Sequence, residues 1–291
     1  MSSFHHQKTS LFERFKAESL RLAGVFSLLF AFICLFMLLY QVGVQGWQYL
    51  SWQFLNGFPS RFPAQAGIKS AIYGTIWLMG FTALFSIPVG IMTGIYLEEY
   101  ASQKSWVTKL IRVNIANLAG IPSIVYGLLG LAFFVRQIHL GRSILAGALT
   151  MSLLILPIVI LTTIEALKAV QVSIRLAAYG VGATRRQVIL YHLLPEAFPG
   201  IVTGIILGLS RAIGESAPLL LIGALSFVAF VPEGPLDGFT VLAIQIFDWV
   251  MRPQPAFHSL AAATIIVLLA FTLGMNSLAI WLRIKMNRGK Q

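Results

Sequence analysis

Six stretches of this chain are apolar for long enough to cross a bilayer, and the polar positions gather between them. A helix needs roughly 20 predominantly apolar residues to span the hydrocarbon core. Residues 22–44, 71–97, 113–135, 144–164, 198–223 and 260–282 meet that length. The pattern predicts an all-α, polytopic membrane protein of six transmembrane helices. Spans that share one bundle form one unit, so residues 1–291 are read as a single transmembrane domain. The first span is too long for a signal-peptide core and no clear A-x-A cleavage site follows it, so it is read as retained. The loop after span five carries FTVLAIQIFDWV, residues 239–250. That stretch is too short to cross; it lies on the surface, re-enters between helices, or is a packed loop helix.

Composition agrees with the pattern. The chain is 57% hydrophobic and 11% charged, with mean hydropathy +0.82. Soluble domains average about 25% charged residues, so a soluble globule is excluded. The net charge of +11 would raise nucleic-acid binding in a soluble protein. Here it is assigned to loops on the cytoplasmic side of a membrane, and no nucleic-acid partner is expected. Cys34 is the one cysteine, so neither an internal disulfide nor a cysteine metal site is available. His5, His6, His139, His192 and His258 show no metal-ligand spacing.

The basic residues also orient the chain. Lys8, Arg14, Lys16 and Arg21 precede span one. Lys104, Lys109 and Arg112 follow span two, Lys168, Arg175, Arg185 and Arg186 follow span four, and Arg283, Lys285, Arg288 and Lys290 close the chain. The other loops hold only Arg61, Lys69, Arg136, Arg142 and Arg252. The positive-inside rule then places both termini in the cytoplasm.

The cytoplasmic loop 165–197 is more than a connector. Gly180 and Gly182 interrupt its helical pattern. Thr184 and Gln187 form a capping-box pair that starts a second piece, and Pro195 is expected to close it. Val188, Tyr191 and His192 would share a docking face. The chain has no G-x-x-x-x-G-K-[ST] phosphate loop, so it is not expected to be an enzyme in its own right.

The spacing of Ala177, Ala178, Gly182, Leu194 and Pro195 resembles the E-A-A…G…I-x-L-P motif of ABC-importer permeases. Leu176 stands where that motif has glutamate, and His192 where it has isoleucine. "GIYLEEYA" (94–101), "NLAGIPSIVYGLLGL" (117–131), "SRAIGESAPLL" (210–220) and "IQIFDWVMRPQPAF" (244–257) extend the resemblance over essentially the whole chain. Together they resemble the A-type permease subunits of phosphate-specific ABC importers. The resemblance implies a type I permease fold in the bacterial inner membrane, alternating access, and inorganic phosphate moving from periplasm to cytoplasm. It implies a C-type permease partner, an ATPase dimer that binds ATP and Mg in place of any cofactor in this chain, and a periplasmic phosphate-binding protein. It also makes loop 165–197 a coupling helix that docks on the ATPase.

Arg211 and Glu215 stand near the middle of the apolar run around span five. An arginine at a helix centre costs about 2.5–3.5 kcal/mol on insertion scales, and such residues usually mark substrate paths. Four residues apart, the two are expected on one helix face, continued by Thr203, Leu207 and Leu219. Gly200, Gly204, Gly208, Ala212 and Ser216 form a small-residue stripe suited to close helix approach. The pair is either a structural ion pair or a site where Arg211 meets an oxyanion, since guanidinium matches phosphate oxygens. Ser123 and Tyr126, beside Pro122 in span three, are candidates for the path wall. Sulfate and molybdate permeases carry a similar R-A-x-G-E, and some phosphate relatives have an arginine after "PIVI" where Leu161 stands here. A permease for another oxyanion and a gradient-driven secondary transporter are therefore the alternative functions. The latter would usually need its own coupling-ion site and paired broken helices.

Overall fold

The computed structural model describes residues 11–224 and 227–288, and these contain helices without any strand. In chain order they are α1 (Leu11–Trp47), α2 (Trp52–Asn56), α3 (Lys69–Ile95), α4 (Trp106–Ala119), α5 (Ser123–Gly130), α6 (Ile144–Lys168), α7 (Val172–Gly180), α8 (Arg185–Gln187), α9 (Leu194–Gly214), α10 (Ala217–Ile222), α11 (Leu242–Val250) and α12 (Pro255–Arg288). Wider π-helical turns extend α3 through Tyr96–Tyr100 and α5 through Leu131–Gln137, and Val188–Leu193 joins α8 to α9. Lys8, Lys290, His5 and His6 lie outside the described residues.

Five of the six expected spans are single long apolar helices: Glu18–Trp47, Lys69–Tyr100, Ile144–Lys168, Arg185–Gly214 and Pro255–Lys285. The third is not straight. Trp106–Ala119 and Ser123–Gln137 meet at 102°, so the expected helix 113–135 is two helices around a corner. The sequence at the corner explains it. Gly120 caps α4, and Pro122 lacks an N–H and disfavours helical backbone at the residue before it. The Tyr126 hydroxyl donates at 2.9 Å to the Leu118 carbonyl, which also accepts from the Ile121 N–H at 3.2 Å, so α5 is tied to the end of α4.

The fifth span also differs. Pro195 does not close the connector; helix runs from Arg185 through Pro195 to Gly214. The π-helical turn just before Pro195 shifts the preceding carbonyls, which accommodates its ring. The helix stops instead at Glu215, whose backbone is extended (φ −82°, ψ 121°). Ser216 then starts the short α10.

α6 is the hub. α3, α4, α5, α9 and α10 all pack on it, and its buried positions run from Ile144 to Leu167 on every side. Small residues set the approach. Gly94 of α3 lies against Thr163, and Gly200 and Gly204 of α9 lie against Ala166 and Thr162. The stripe read from the sequence is thus the α9 surface that faces α6, with Ala212 also buried. Hydroxyls on α6 return to its own carbonyls: Thr150 to Ala146, Ser152 to Ala148 and Thr163 to Val159. Ser152 also reaches the Thr82 carbonyl of α3 at 3.2 Å.

α1 packs on α12 alone among the long helices, and most of its side chains are exposed. α11 is tucked into the bundle against α3 and α12. Leu242, Ile244, Gln245 and Trp249 are buried, and the Leu242 N–H donates to Thr75 Oγ1 of α3 at 3.0 Å. Within the stretch 239–250, residues 242–250 form a helix packed between its neighbours.

The α6–α9 approach has a direct test. A side chain at Gly204 would collide with Thr162, whereas Gly24 of α1 has nothing within 4 Å. Overpacking of this kind typically costs about 1–3 kcal/mol. Gly204→Leu should lower the thermal midpoint of the detergent-solubilised protein by several degrees, and Gly24→Leu should leave it in place. Equal midpoints would show that α9 does not depend on that contact.

Candidate functional site

The two intramembrane charges flank the break in span five. Arg211 is in the last turn of α9, and Glu215 is the residue at which the helix stops. The sequence places them on one continuous helical face; the structure replaces that face with a helix end. The electrostatics favour this order. A cation is stabilised near a helix C-terminus and an anion just before a helix N-terminus, each by about 0.3–1 kcal/mol. Arg211 Nε stands 3.7 Å from Glu215 Oε1, an ion pair too long to be a hydrogen bond. Among the described residues the Arg211 guanidinium has no other ion-pair or hydrogen-bond partner, so its donor fork is unfilled.

The direction in which Arg211 points follows from helix geometry. Successive residues turn about 100°. Ala212, on one side of it, is buried at 1% exposure. Ser210, on the other side, donates to Asn276 Oδ1 of α12 at 2.8 Å. Leu209 and Ile213, which point away from Arg211, pack into the core of the bundle. Arg211 therefore projects outward between the lines of contact with α6 and α12. Its side chain is 39% exposed and that of Glu215 23%. Leu219, read as continuing the charged face, is instead buried in the core at 1%, because the break resets the helical phase.

Tyr126 is enclosed by the bundle and lies within electrostatic reach of Arg211. Its hydroxyl proton is committed to Leu118, so only its lone pairs are free. Ser123 is half-exposed at the start of α5 and makes no hydrogen bond among the described residues. The structure thus places Tyr126 within electrostatic reach of Arg211 and leaves Ser123 at the corner of the bent span. A cleft of about 390 Å³ reaches the break from beside α11 and is lined by Gly214, Ser216, Ala243, Phe247, Ile265 and Leu268.

The second candidate region is the connector. Gly182 adopts φ +81°, a left-handed conformation that side-chain-bearing residues rarely enter. Thr184 and Gln187 form the capping box read from the sequence. Ala178 is buried under Leu167, Val188 and Leu193, while Ala177 is exposed. Leu194 packs against the same cluster and Pro195 is exposed. Val188, assigned to the outer face with Tyr191 and His192, is buried at 1%, whereas Tyr191 is 71% exposed. Val172, Leu176, Tyr179 and Val181 are the apolar side chains that α7 and its turn leave uncovered.

Glu98, Glu99 and Tyr100, at the inner end of span two, read from the sequence as interfacial rather than catalytic, and the sequence does not show their partners. The last turn of span two receives three cations. Glu99, 6% exposed, pairs with Arg175 of α7 at 2.6 Å; Glu98 pairs with Arg112 of α4 at 2.9 Å; Arg185 stacks over the Tyr100 ring at 4.8 Å. Arg175 also donates to the Leu167 carbonyl at 2.9 Å. Glu99 therefore holds α7 to the bundle, Glu98 holds α4, and Tyr100 receives the start of α8. The partners are 76 and 14 residues away in sequence, so spacing alone gives no sign of them.

Comparison with known proteins adds the following. A profile of the family described as "binding-protein-dependent transport system inner membrane component" matches residues 86–288. The "Phosphate transport system permease protein PstA" of Yersinia pestis is 32% identical over 94% of this chain and 92% of its own length. The "Probable ABC transporter permease protein YqgI" of Bacillus subtilis is 31% identical over 89% of this chain and 92% of its own. Among solved structures, a bacterial alginate ABC transporter in complex with its alginate-loaded periplasmic protein superposes with a TM-score of 0.66. It is 17% identical and matches over 92% of this chain and 95% of the compared one.

Loss of one partner of the Glu99–Arg175 pair strands a charge in a poorly solvated place, which typically costs about 3–5 kcal/mol when fully buried and less here, with Arg175 partly exposed. Glu99→Gln should raise amide hydrogen exchange across residues 172–180 by at least tenfold, with the transmembrane helices unchanged. Adding Arg175→Met should return most of the protection. Unchanged exchange in the single variant would show that α7 is held by apolar packing alone.

Proposed function

Because this chain belongs to the binding-protein-dependent transport system inner membrane component family, and is a multi-pass permease subunit of an ABC importer, we propose that its cargo is inorganic phosphate. Phosphate moves from outside the cell to the cytoplasm, driven by ATP, through alternating access. The observation that carries this reading is the Arg211 guanidinium: loosely paired, outward-facing, and set at a helix break. An arginine on the outer surface of a single subunit would face lipid at a cost of several kcal/mol. A second permease subunit packed on this face turns that surface into a shared, watered cavity. The relatives named for phosphate transport support the choice of anion.

Within that cavity the roles follow from chemistry. Arg211 offers a planar, bidentate donor fork to the phosphate oxygens. Glu215 neutralises Arg211 when no anion is present and accepts a hydrogen bond from monoprotonated phosphate when one is. The pair's low net charge keeps binding weak enough for release. Tyr126 orders the bent third span beside the pair, and Ser123 lines the entrance at its corner. The second permease is a related C-type subunit, and a periplasmic phosphate-binding protein delivers the anion.

The connector couples this cavity to ATP. The exposed Val172, Leu176 and Tyr179 face fits an apolar groove of an ATPase subunit on the cytoplasmic side, where both termini also lie. ATP and Mg are held there, in an ATPase dimer, and the assembled complex has phosphate-transporting ATPase activity. Ala178 and Leu194 seat the coupling helix, Ala177 lies at its exposed surface, Gly182 makes its turn, and Pro195 lies at the start of the helix that leads to Arg211.

Two measurements test this. In vesicles containing the whole complex, Arg211→Gln should cut ATP-driven phosphate uptake at least tenfold with assembly intact, and Arg211→Lys should restore only part of it. The charge swap Arg211→Glu with Glu215→Arg should stay low, because it places each charge against the wrong helix end. Normal uptake by the swap would reduce the pair to a structural role. Separately, Gly182→Leu should leave insertion intact while lowering uptake severalfold, because leucine strains the turn that presents α7. Full ATP-driven uptake by that variant would remove the connector from coupling.

A further inference from the structure

α9 and α12 run antiparallel and are laced by two side-chain rungs. Ser210 meets Asn276, and Arg283 Nη1 donates to Thr203 Oγ1 at 3.0 Å. Each helix advances seven residues between the rungs, about two turns, so both lie on one seam. The Ser210 rung is neutral on both sides. The Thr203 rung sets a full charge against a hydroxyl whose own proton already goes to the Pro199 carbonyl at 2.8 Å. A neutral amide such as Asn276 would close such a rung equally well, so lacing the helices does not explain an arginine.

The rest of Arg283 is uncommitted. Guanidinium carries five N–H donors, and one is used. No carboxylate lies within ion-pair distance of it among the described residues, and the side chain is only partly buried. Thr203 precedes Arg211 by eight residues, about 12 Å along α9. The intervening residues, TGIILGLS before Arg211, carry no other charge. Leu207 on that edge is 58% exposed. Moving from Arg211 towards the connector end, the next cation beside this edge of α9 is Arg283.

We propose that Arg283, oriented by Thr203, is a second station for a tetrahedral oxyanion, occupied after Arg211 as the anion leaves on the connector side. This rests on the reading of Arg211 as the anion's first contact. Two weak stations in series suit conduction better than one strong one, because each must release what it holds. The same donor chemistry would also fit the phosphate of an anionic lipid headgroup, so the test separates the two sources.

The complex is reconstituted with its binding protein outside and ATP inside, in phosphatidylcholine vesicles loaded with graded inorganic phosphate. Internal phosphate should inhibit uptake by occupying the inner station. Arg283→Gln should raise the half-inhibiting concentration at least fivefold, Arg283→Lys should fall between it and the wild type, and Thr203→Val should shift it less than twofold. A purely structural seam predicts equal effects of Thr203→Val and Arg283→Gln, and that result would overturn the station. Arg211→Gln, measured in parallel, reports on the underlying reading: normal uptake there removes that reading. If Arg211→Gln abolishes uptake while Arg283→Gln leaves half-inhibition unmoved, the second station alone falls. An Arg283 effect seen only after phosphatidylglycerol is added would assign the guanidinium to lipid and likewise overturn it.

Discussion

Close backbone approach around α6 is the constraint on which the other features depend. A membrane offers no hydrophobic gain for helix association, so helices are held by dispersion contact and by polar groups that satisfy one another. α6 meets this by presenting threonines whose hydroxyls are bonded to its own carbonyls, opposite glycines on its partners. α3 and α9 can then come in close on different sides of one rod. With α9 fixed along its small-residue stripe, its remaining faces have no freedom. Ser210 must meet α12, Ile213 must enter the core, and Arg211 must point out.

That outward arginine changes what the fold alone can be. The exposed edge of α9 includes Leu207, Arg211 and Gly214. A charge on such an edge is tolerable in lipid only if something polar covers it. The helix break beside it works in the same direction. The end of α9 leaves carbonyls without intrahelical partners and the start of α10 leaves N–H groups, and irregular backbone at membrane depth survives only where protein or water satisfies it. Charge and break thus share one requirement, a second surface with water between, and this is why the site is read as half of a cavity.

Much of this was legible in the sequence, and the parts that were not share a cause. Length and hydropathy locate spans because they measure transfer of a segment into lipid, a local property. The capping box at Thr184 and the helix interruption at Gly182 are local too, and both appear as read. The α9 stripe is set by a spacing of four and survives for the same reason. The failures concern how local signals combine. Pro122 and Pro195 carry the same local signal, yet one turns a helix through 102° and the other is absorbed by a π-helical turn. Gly120 ends α4 two residues before Pro122, whereas no glycine lies between Arg185 and Pro195. The break at Glu215 hides in the sequence because a glycine-containing apolar run reads as helix until its backbone groups find other partners. The Glu99–Arg175 pair joins residues that only the tertiary fold brings together.

Those misread features lie at the two ends of one mechanical line. α7 is fixed to the end of α3 by Glu99 and Arg175, and α3 is fixed to α6 by glycine contacts that include Gly94 on Thr163. The same α6 turn region bears on α9 through Thr162 and Gly204, seven residues before Arg211. α7 also reaches α9 directly through the helix that begins at Arg185. A push on the exposed face of α7 therefore arrives at Arg211 by two routes, one along a helix and one across the hub. Packed contacts of this kind transmit displacement because they do not deform continuously. The π-helical turn at Val188–Leu193 lies on the first route and the Glu-Glu-Tyr turn on the second. Both are places where the helical hydrogen-bond register is already shifted from the α pattern. A helix can rotate or slide there without losing a full turn of bonds, so the irregular turns are where motion can enter a bundle that is otherwise rigid.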